Sequence, residues 1–284
     1  MVGVDLDELL HVALGAADIS RRTLRGESGV SLTSVTQKSD RDFASNLDFT
    51  VERELRAYLR ERTPEFGFLG EEEGSGTADG GRPDLSPTDP GADDRPFWAL
   101  DPVDGTSNLI HGVPMCGTSL GLVHRRRPVL GVVDLPFLDE RYHAARGGGA
   151  FLNGEPIHCG TATSLDRAFV AVGDFATGAA ATRQNPLRLA MVEGLAHRVE
   201  RIRMLGSAAT DLAWTAAGRL DACVLLSNKP WDMAAGVIIA REAGAEVVDI
   251  DGSPHDLDSL RTIAVTPAVR DELLGLLAAA GVDH

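Results

Sequence analysis

Cysteine, aromatic residues and basic residues are all scarce in this 284-residue chain. The three cysteines, Cys116, Cys159 and Cys223, lie far apart without CxxC spacing, which argues against both a zinc knuckle and a disulfide framework. There are 27 basic residues against 42 acidic ones, so the formal net charge is −15. Because a surface for nucleic acid or an anionic membrane needs clustered Lys and Arg, we expect neither as a partner.

Long apolar runs are missing too. No stretch approaches the roughly 20 apolar residues that a membrane-spanning helix needs. The first residues, MVGVDLDELLHVALGAADISRRTLRG, lack the basic and apolar regions of a signal peptide. Dispersed cysteines are typical of a reducing compartment. We therefore expect a soluble, cytoplasmic protein, and the hydrophobic content of 43% is enough for a folded core.

Helical and strand-like patterns alternate along the chain. Apolar residues at helical spacing predict helices over residues 5–25, 48–62, 186–198 and 207–218, and in the segments MAAGVIIAREAG and VRDELLGLLAAAG. Strands are predicted in PFWALD, TSLGLVH, PVLGVVDLP, DACVLL, AEVVDIDG and RTIAVTP. This order predicts an α/β fold of layered helices and sheets.

No clear linker divides the chain. We predict two closely packed α/β halves, residues 1–160 and 161–284, with a boundary near 150–165. Residues 74–95 contain almost no large apolar side chain, and their Gly, Ser, Thr, Pro and Asp content predicts a solvated loop.

The most informative motif is Asp101-Pro-Val-Asp104-Gly-Thr106. The preceding apolar strand places Asp101 at its carboxyl end, and Pro102 is expected to end the ladder. Asp104-Gly105-Thr106 then turns the backbone so that amide groups and a hydroxyl face one opening. A capped turn leading into a helix would have the same composition. The motif therefore predicts either such a turn or two carboxylates beside a phosphate-sized nest.

Three further acids lie at comparable junctions. Glu71 follows the short apolar segment Phe68-Leu-Gly70, Asp232 lies just inside a helix, and Asp48 lies at the start of the second helix. Taken singly, each is compatible with a solvated face or an ordinary helix cap. Together with Asp101, the four junctions provide what a multi-carboxylate magnesium site needs.

These motifs resemble those of a known family. Gly70-Glu71-Glu72 resembles a GEE element, Asp101 to Thr106 a DPxDGT signature, and Trp231 to Gly236 a WDxAAG signature. All three belong to the inositol monophosphatase-like family of magnesium-dependent, lithium-sensitive phosphatases, and the resemblance covers nearly the whole chain. It implies a sugar-phosphatase-like layered fold, a homodimer, and hydrolysis of a small phosphate monoester with two or three Mg²⁺ ions per active site.

The resemblance also implies residue roles. One metal ion would be bound by Glu71, Asp101 and the Val103 carbonyl, and a second by Asp101, Asp104 and Asp232. Catalysis would use Glu71 and Thr106 to position the attacking water, with Asp48 supporting Thr106 or the metal shell. The substrate would be bound by Asp104, Gly105, Thr106, Ser207 and Ala208, the last two contacting its alcohol part. Lys38 is either part of the family's loop near the metals or an ordinary surface lysine.

One position departs from the family pattern. Members that act on inositol phosphate usually have a glutamate that holds substrate hydroxyls where this chain has Leu225. Because a buried leucine accepts no hydrogen bond, the substrate could differ from inositol 1-phosphate. Histidinol phosphate, a 3'-phosphorylated nucleotide, a sugar phosphate and a specialised metabolite stay open as alternatives.

The only dense basic run, Arg125-Arg126-Arg127, lies in a predicted strand turn and is expected to face solvent rather than a second phosphate.

A non-catalytic binding or regulatory protein on the same fold is the alternative of another functional class. The intact set of acids argues against it, because a binding module does not need all of them.

Overall fold

The computed structural model describes residues 5–27, 29, 32–39, 42–72, 74–76, 95–227 and 229–282. Its α-helices are α1 (Leu6–Leu24), α2 (Asn46–Arg62), α3 (Thr106–Ile110), α4 (Ala181–Ala196), α5 (Ala208–Ala216), α6 (Pro230–Glu242) and α7 (Arg270–Ala279). None of the helices in this part of the chain is long and apolar enough to cross a membrane.

The strands form three sheets. A two-stranded sheet pairs β1 (Val35–Ser39) with β2 (Asp42–Ser45). The remaining strands are β3 (Gly67–Gly70), β4 (Gly74–Gly76), β5 (Phe97–Asp104), β6 (Gly117–His124), β7 (Arg127–Leu135), β8 (Glu140–Ala145), β9 (Ala150–Leu152), β10 (Glu155–Ile157), β11 (Phe169–Val172), β12 (Arg201–Arg203), β13 (Ala222–Leu225), β14 (Glu246–Val248) and β15 (Thr262–Val265).

The larger sheet has eight strands in the order β10-β9-β8-β7-β6-β5-β3-β4, and only the β3–β5 pair is parallel. Successive residues of a strand face opposite sides. Trp98 and Leu100 accordingly belong to the cluster that contains α1 and α2, whereas Phe97 and Ala99 pack with Ala234 of α6. A Cβ atom on Gly121 would lie only 2.6 Å from the Cβ of Ala234, so glycine in β6 allows α6 to approach closely.

The smaller sheet has five strands in the order β12-β11-β13-β15-β14. One face packs on α4 and α7 through residues such as Met191 and Leu273. The other face contributes Cys223 and Ala264 to the cluster that holds α5 and α6. Helices α5 and α6 therefore lie between the two sheets, and the molecule has five layers: α1/α2, large sheet, α5/α6, small sheet and α4/α7. The predicted layered α/β class is confirmed.

The division into two halves stays a prediction. The large sheet ends at Ile157 and the small sheet begins at Phe169, on either side of the expected boundary. Helix α6, however, contacts strands of both sheets.

Several local predictions were wrong. Pro102 does not end the ladder: β5 continues to Asp104 through a bulge in which two residues of β5 lie opposite Thr118. A bulge tolerates proline, and the Pro102 carbonyl accepts a hydrogen bond from the Thr118 hydroxyl at 2.8 Å. Helix α4 begins at Ala181, five residues earlier than predicted, with Pro186 inside it. Of the predicted 74–95 loop, residues 74–76 form β4 and residues 77–94 lie outside the described residues.

Candidate active site

Three carboxylates from three elements meet at one end of the large sheet. Glu71 directly follows β3, Asp101 lies in β5, and Asp232 lies in the first turn of α6. Because β3 and β5 are parallel neighbours, their carboxyl ends meet, and the Glu71 amide donates to the Leu100 carbonyl at 3.1 Å. One oxygen atom of each carboxylate lies within 4.8 Å of the other two. We refer to Glu71, Asp101 and Asp232 as the carboxylate cluster.

Asp104 lies at the end of β5, outside this group of three. Its Oδ2 accepts a hydrogen bond from the Ser207 hydroxyl at 2.9 Å and another from the Ala209 amide. Ser207 is also the N-cap of α5, accepting a hydrogen bond from the Thr210 amide at 3.1 Å. The start of α5 therefore fixes the orientation of the Asp104 carboxylate, a role for Ser207 that the sequence did not indicate.

Asp48 and Thr106 are joined by a hydrogen bond. The Thr106 Oγ1 atom lies 2.8 Å from Asp48 Oδ1 and 3.0 Å from the Val103 carbonyl. Because a hydroxyl has one proton, it donates to one of these acceptors at a time and keeps lone pairs for a further partner. Asp48 Oδ2 accepts a hydrogen bond from the Ser45 amide at 2.8 Å, in the capping box that starts α2. Burial raises the pKa of Asp48, and its hydrogen bonds from Ser45 and Thr106 partly offset that rise.

Gly105 makes the turn between β5 and α3. Its φ of +85° is in the left-handed region, and a Cβ atom there would lie 3.0 Å from the Met115 carbonyl oxygen. Only glycine fits this position without strain. The chain turn predicted from the DGT sequence is therefore present.

The acids of the site resist ionisation mainly because they are withdrawn from water, and their mutual repulsion adds to the effect. Burial and the neighbouring Asp104 charge raise the pKa of Asp232 to about 8. The pKa of Asp104 is raised to about 6, mainly by burial, and that of Asp101 is raised well above its ordinary value by burial and by Glu71. Like charges in a low-dielectric site disfavour each other, and a bound cation would remove that cost. The electrostatics of the site therefore favour a cation.

Lys38 lies at this site rather than on an ordinary surface. Its Nζ atom lies 3.1 Å from Glu71 Oε1 and 2.5 Å from Glu72 Oε1. Although burial lowers the pKa of Lys38, these two carboxylates raise it more, so the ammonium stays charged. Burial raises the pKa of Glu72 to about 7. The ammonium group is thus a cation already in contact with one member of the carboxylate cluster.

Glu52 is a buried acid that the motif analysis missed. Its Oε2 accepts a hydrogen bond from the Glu72 amide at 2.9 Å, and its Oε1 pairs with Arg56 at 2.7 Å. A Cβ atom on Gly70 would overlap the Glu52 carboxylate, so a larger residue would displace that carboxylate. Glu52 therefore holds the backbone that presents Glu71. An acid on the apolar stripe of α2, next to Val51 and Leu55, was the available signal.

A cavity of about 180 Å³ adjoins Asp104. We call it the alcohol cavity because it is lined by Ser207 and Ala208, which the family resemblance would place beside the alcohol part of a substrate. Its lining includes Asp174, Arg188, Ser207, Ala208, Asp211 and Leu225. Leu225 is buried and belongs to the apolar core, so the departure noted in the sequence lies at the cavity itself.

Carboxylates that converge beside a small cavity in a layered α/β fold fit the class of metal-dependent phosphatases. The chain belongs to the inositol monophosphatase family, whose model matches residues 5–282. It is 34% identical over 274 residues to inositol monophosphatase 1 of Solanum lycopersicum, covering 96% of this chain and 95% of the relative. It is 32% identical over 270 residues to an inositol-1-monophosphatase of Mycolicibacterium smegmatis, covering 95% and 92%.

Solved structures agree with this assignment. An inositol monophosphatase from Anabaena superposes with a TM-score of 0.81 at 29% identity, covering 97% of both chains. A Thermotoga maritima inositol monophosphatase superposes with a TM-score of 0.82 at 28% identity, covering 97% of this chain and 99% of the other. The predicted family, fold class and enzyme class, a phosphoric monoester hydrolase, are thereby confirmed.

Proposed function

We propose that this protein is a Mg²⁺-dependent phosphatase that hydrolyses a small phosphate monoester. The observation that carries the proposal is the convergence of Glu71, Asp101 and Asp232 within 4.8 Å of one another. With Asp104 and the Val103 carbonyl, these groups would hold two Mg²⁺ ions, and a third site near Glu71 is part of the proposal.

The donor set fits magnesium. Carboxylate and carbonyl oxygens are the hard ligands that Mg²⁺ prefers, and the set contains no nitrogen or sulfur donor. Burial and mutual repulsion raise the pKa values of Asp101, Asp104 and Asp232, and the Lys38 ammonium, which contacts Glu71 and Glu72, offsets only part of this negative charge. When bound, the metal ions supply positive charge to the phosphate oxygens and to the leaving ester oxygen.

Thr106 and Asp48 would position the attacking water. Thr106 Oγ1 donates its proton to Asp48 Oδ1 or to the Val103 carbonyl, so its lone pairs are available to accept a hydrogen bond from water. Glu71 would provide the second acceptor for that water. Attack by the water oxygen forms the new P–O bond as the ester P–O bond breaks. The water gives up one proton and the departing alkoxide takes one up, so that it leaves as the alcohol.

The phosphate group would be held by the turn at Gly105. The left-handed conformation of Gly105 is of the kind in which successive amide groups form an anion-binding nest. We assign the phosphate to the amides of Gly105 and Thr106, and the alcohol part of the substrate to the alcohol cavity with Ser207 and Ala208.

For the substrate we propose a class of compounds rather than a single compound. The names of the relatives support an inositol-phosphate-like compound. Leu225 at the cavity supports a compound that needs no hydroxyl acceptor at that position, such as histidinol phosphate, a 3'-phosphorylated nucleotide or a sugar phosphate.

Phosphate release from these compounds, with Mg²⁺ and with EDTA, tests the proposal. We expect Mg²⁺-dependent turnover of at least one compound and its loss in Asp104→Asn. The matched control is Asp251→Asn, because Asp251 is exposed and far from the site in sequence. Full activity in EDTA, or in Asp104→Asn, would contradict the proposal.

We further propose a cytoplasmic homodimer. The three cysteines are all free, which fits a reducing compartment. The dimer is supported by the family resemblance and is tested by light scattering during size-exclusion chromatography, where a monomer mass would reject it.

A further inference from the structure

Two buried hydroxyl groups connect helix α1 to the bulge of β5. Ser20 of α1 and Thr118 of β6 are both buried, and their hydroxyls are hydrogen-bonded to each other where α1 packs on β6. The Thr118 hydroxyl also lies 2.8 Å from the Pro102 carbonyl oxygen, in the bulge. A buried hydroxyl costs free energy unless it is hydrogen-bonded. The contact with β5 therefore accounts for two polar groups in a packed, apolar part of the molecule. We refer to Ser20 and Thr118 as the hydroxyl pair.

The direction of the two hydrogen bonds follows from the number of protons. The Pro102 carbonyl can only accept, so the single Thr118 hydroxyl proton is donated to it. Ser20 must then donate to Thr118 Oγ1, which has a lone pair left to accept with. The chain of hydrogen bonds thus runs from α1 through β6 and ends on the backbone of β5.

The peptide group held by the hydroxyl pair also contacts Asp101. The Pro102 C=O and the Val103 N–H belong to one planar trans peptide group and point in opposite directions. The Val103 amide donates to Asp101 Oδ1 at 3.0 Å. Regular pairing of β5 with β6 is interrupted at this bulge, so the ladder itself does not fix the plane. A rotation that moved the Pro102 carbonyl away from Thr118 would move the amide away from the carboxylate too.

We propose that Ser20 and Thr118 are positioning residues for the metal site, because they hold the peptide group that orients the Asp101 carboxylate and the Val103 backbone. This inference rests on the proposed function, in which Asp101 and the Val103 carbonyl are metal ligands. Removal of a group that orients a metal ligand typically weakens metal binding by about 10- to 100-fold. A hydroxyl that served only the packing of α1 would change stability and leave metal binding as it is.

Mg²⁺ binding to EDTA-treated protein, measured by isothermal titration calorimetry, tests the proposal. Thr118→Val removes the hydroxyl with little change in shape, and we expect the Kd for Mg²⁺ to rise by about 10- to 100-fold. Thr118→Ser keeps the hydroxyl and should bind Mg²⁺ nearly as the wild type does. Ser20→Ala removes only the outer hydrogen bond, so its Kd should rise less. Because Ser20 acts through Thr118, adding Ser20→Ala to Thr118→Val should cause no further rise.

Thr63→Val is the matched control. The Thr63 hydroxyl is also buried, donates to the Leu59 carbonyl at 2.8 Å and accepts a hydrogen bond from the Trp98 indole at 3.0 Å. Neither of these partners is a proposed metal ligand. Thr63→Val should therefore lower Tm, as Thr118→Val should, and leave the Kd for Mg²⁺ unchanged.

The outcomes separate the two proposals. A wild-type Kd for Mg²⁺ in Thr118→Val, with Tm lowered as in Thr63→Val, would overturn this inference and leave the proposed function intact. Should Thr118→Val not fold, a wild-type Kd in Ser20→Ala would overturn it equally. Wild-type protein that neither binds Mg²⁺ nor hydrolyses any of the compounds named above would count against the proposed function, and the inference would fall with it.

Discussion

The carboxylate cluster and the alcohol cavity are both close to Asp104, yet they are built differently. The cluster takes its acids from the residue after β3, from β5 and from the first turn of α6. The cavity depends on residues of α4, α5 and β13, such as Arg188, Asp211 and Leu225. In the proposed function, the cluster would hold the phosphate and the cavity would hold the alcohol part of the substrate.

The two sides also differ in their energetics. The cluster concentrates buried like charges whose raised pKa values show that the metal-free protein is destabilised there. The cavity instead combines Arg188 with carboxylates, and one buried carboxylate oxygen, Asp211 Oδ1, has no hydrogen-bond partner among the described residues. Substitutions in the cluster should therefore change activity with every substrate, and those in the cavity should change the choice among substrates.

Asp101→Asn should have the largest effect on the cluster side. We expect kcat/KM to fall by about 1,000-fold for all substrates, since several kcal/mol of metal-derived stabilisation are lost. The same variant should be more stable than the wild type to urea at pH 8 in EDTA, because a buried charge is removed. A loss of activity confined to one substrate would contradict the expectation that the cluster acts on every substrate.

Thr106→Val should follow, with kcat reduced by about 100-fold, the range expected for a group that positions a proton-donating water. Thr106→Ser keeps the hydroxyl and should retain most of the activity. Because Thr106 Oγ1 and Asp48 Oδ1 are 2.8 Å apart, the double variant with Asp48→Asn should lose no more than the worse single variant. Losses that multiply would show that the two residues act separately.

Leu225→Glu tests the cavity side. A carboxylate there accepts hydrogen bonds from substrate hydroxyls and repels a second anion, so preference should shift by about tenfold toward inositol 1-phosphate. The measurement is the ratio of kcat/KM values for inositol 1-phosphate and inositol 1,4-bisphosphate. Activity lost equally for both would mean that Leu225 acts on folding rather than on selection.

Gly70→Ala tests the support of the cluster. The new methyl group would overlap the Glu52 carboxylate, and we expect a loss of about 1–3 kcal/mol in the free energy of unfolding, as overpacking causes. Gly275→Ala is the control, because no atom lies within 4 Å of a Cβ at that helical glycine. It should be neutral or stabilising in the same urea titration. Equal changes in the free energy of unfolding for the two variants would show that the contact between Gly70 and Glu52 does not support the site.

The smallest effect concerns pH. The pKa of Asp232 is about 8 in the folded protein against 3.8 ordinarily, so the unfolded chain loses this proton first. The metal-free protein should lose stability as pH rises from about 4 to about 8. Because Mg²⁺ binds the ionised acids, adding it should raise Tm more at pH 8 than at pH 6. Each kcal/mol of added free energy of unfolding corresponds to a rise of about 2–4 °C in Tm. An effect of equal size at both pH values would contradict this.

Most of the cluster could be predicted because its chemistry is encoded in short motifs. A strand followed by acid and glycine places Asp101, Asp104 and Gly105 locally, and α2 and α6 begin with acids at their N-termini. The strands over residues 140–157 were missed because they are short and half-buried, so their polar residues hide the pattern. Pro102 was misread because a bulge depends on the neighbouring strand.

The sequence by itself determined the family, the acids and the departure at Leu225, because each is a property of a contiguous segment. Only the tertiary structure decided that Glu52 supports Gly70, that Ser207 holds Asp104, and that Arg188 and Asp211 line the same cavity. Each of these facts joins residues from separate parts of the chain. Packing in three dimensions, rather than local propensity, brings them together.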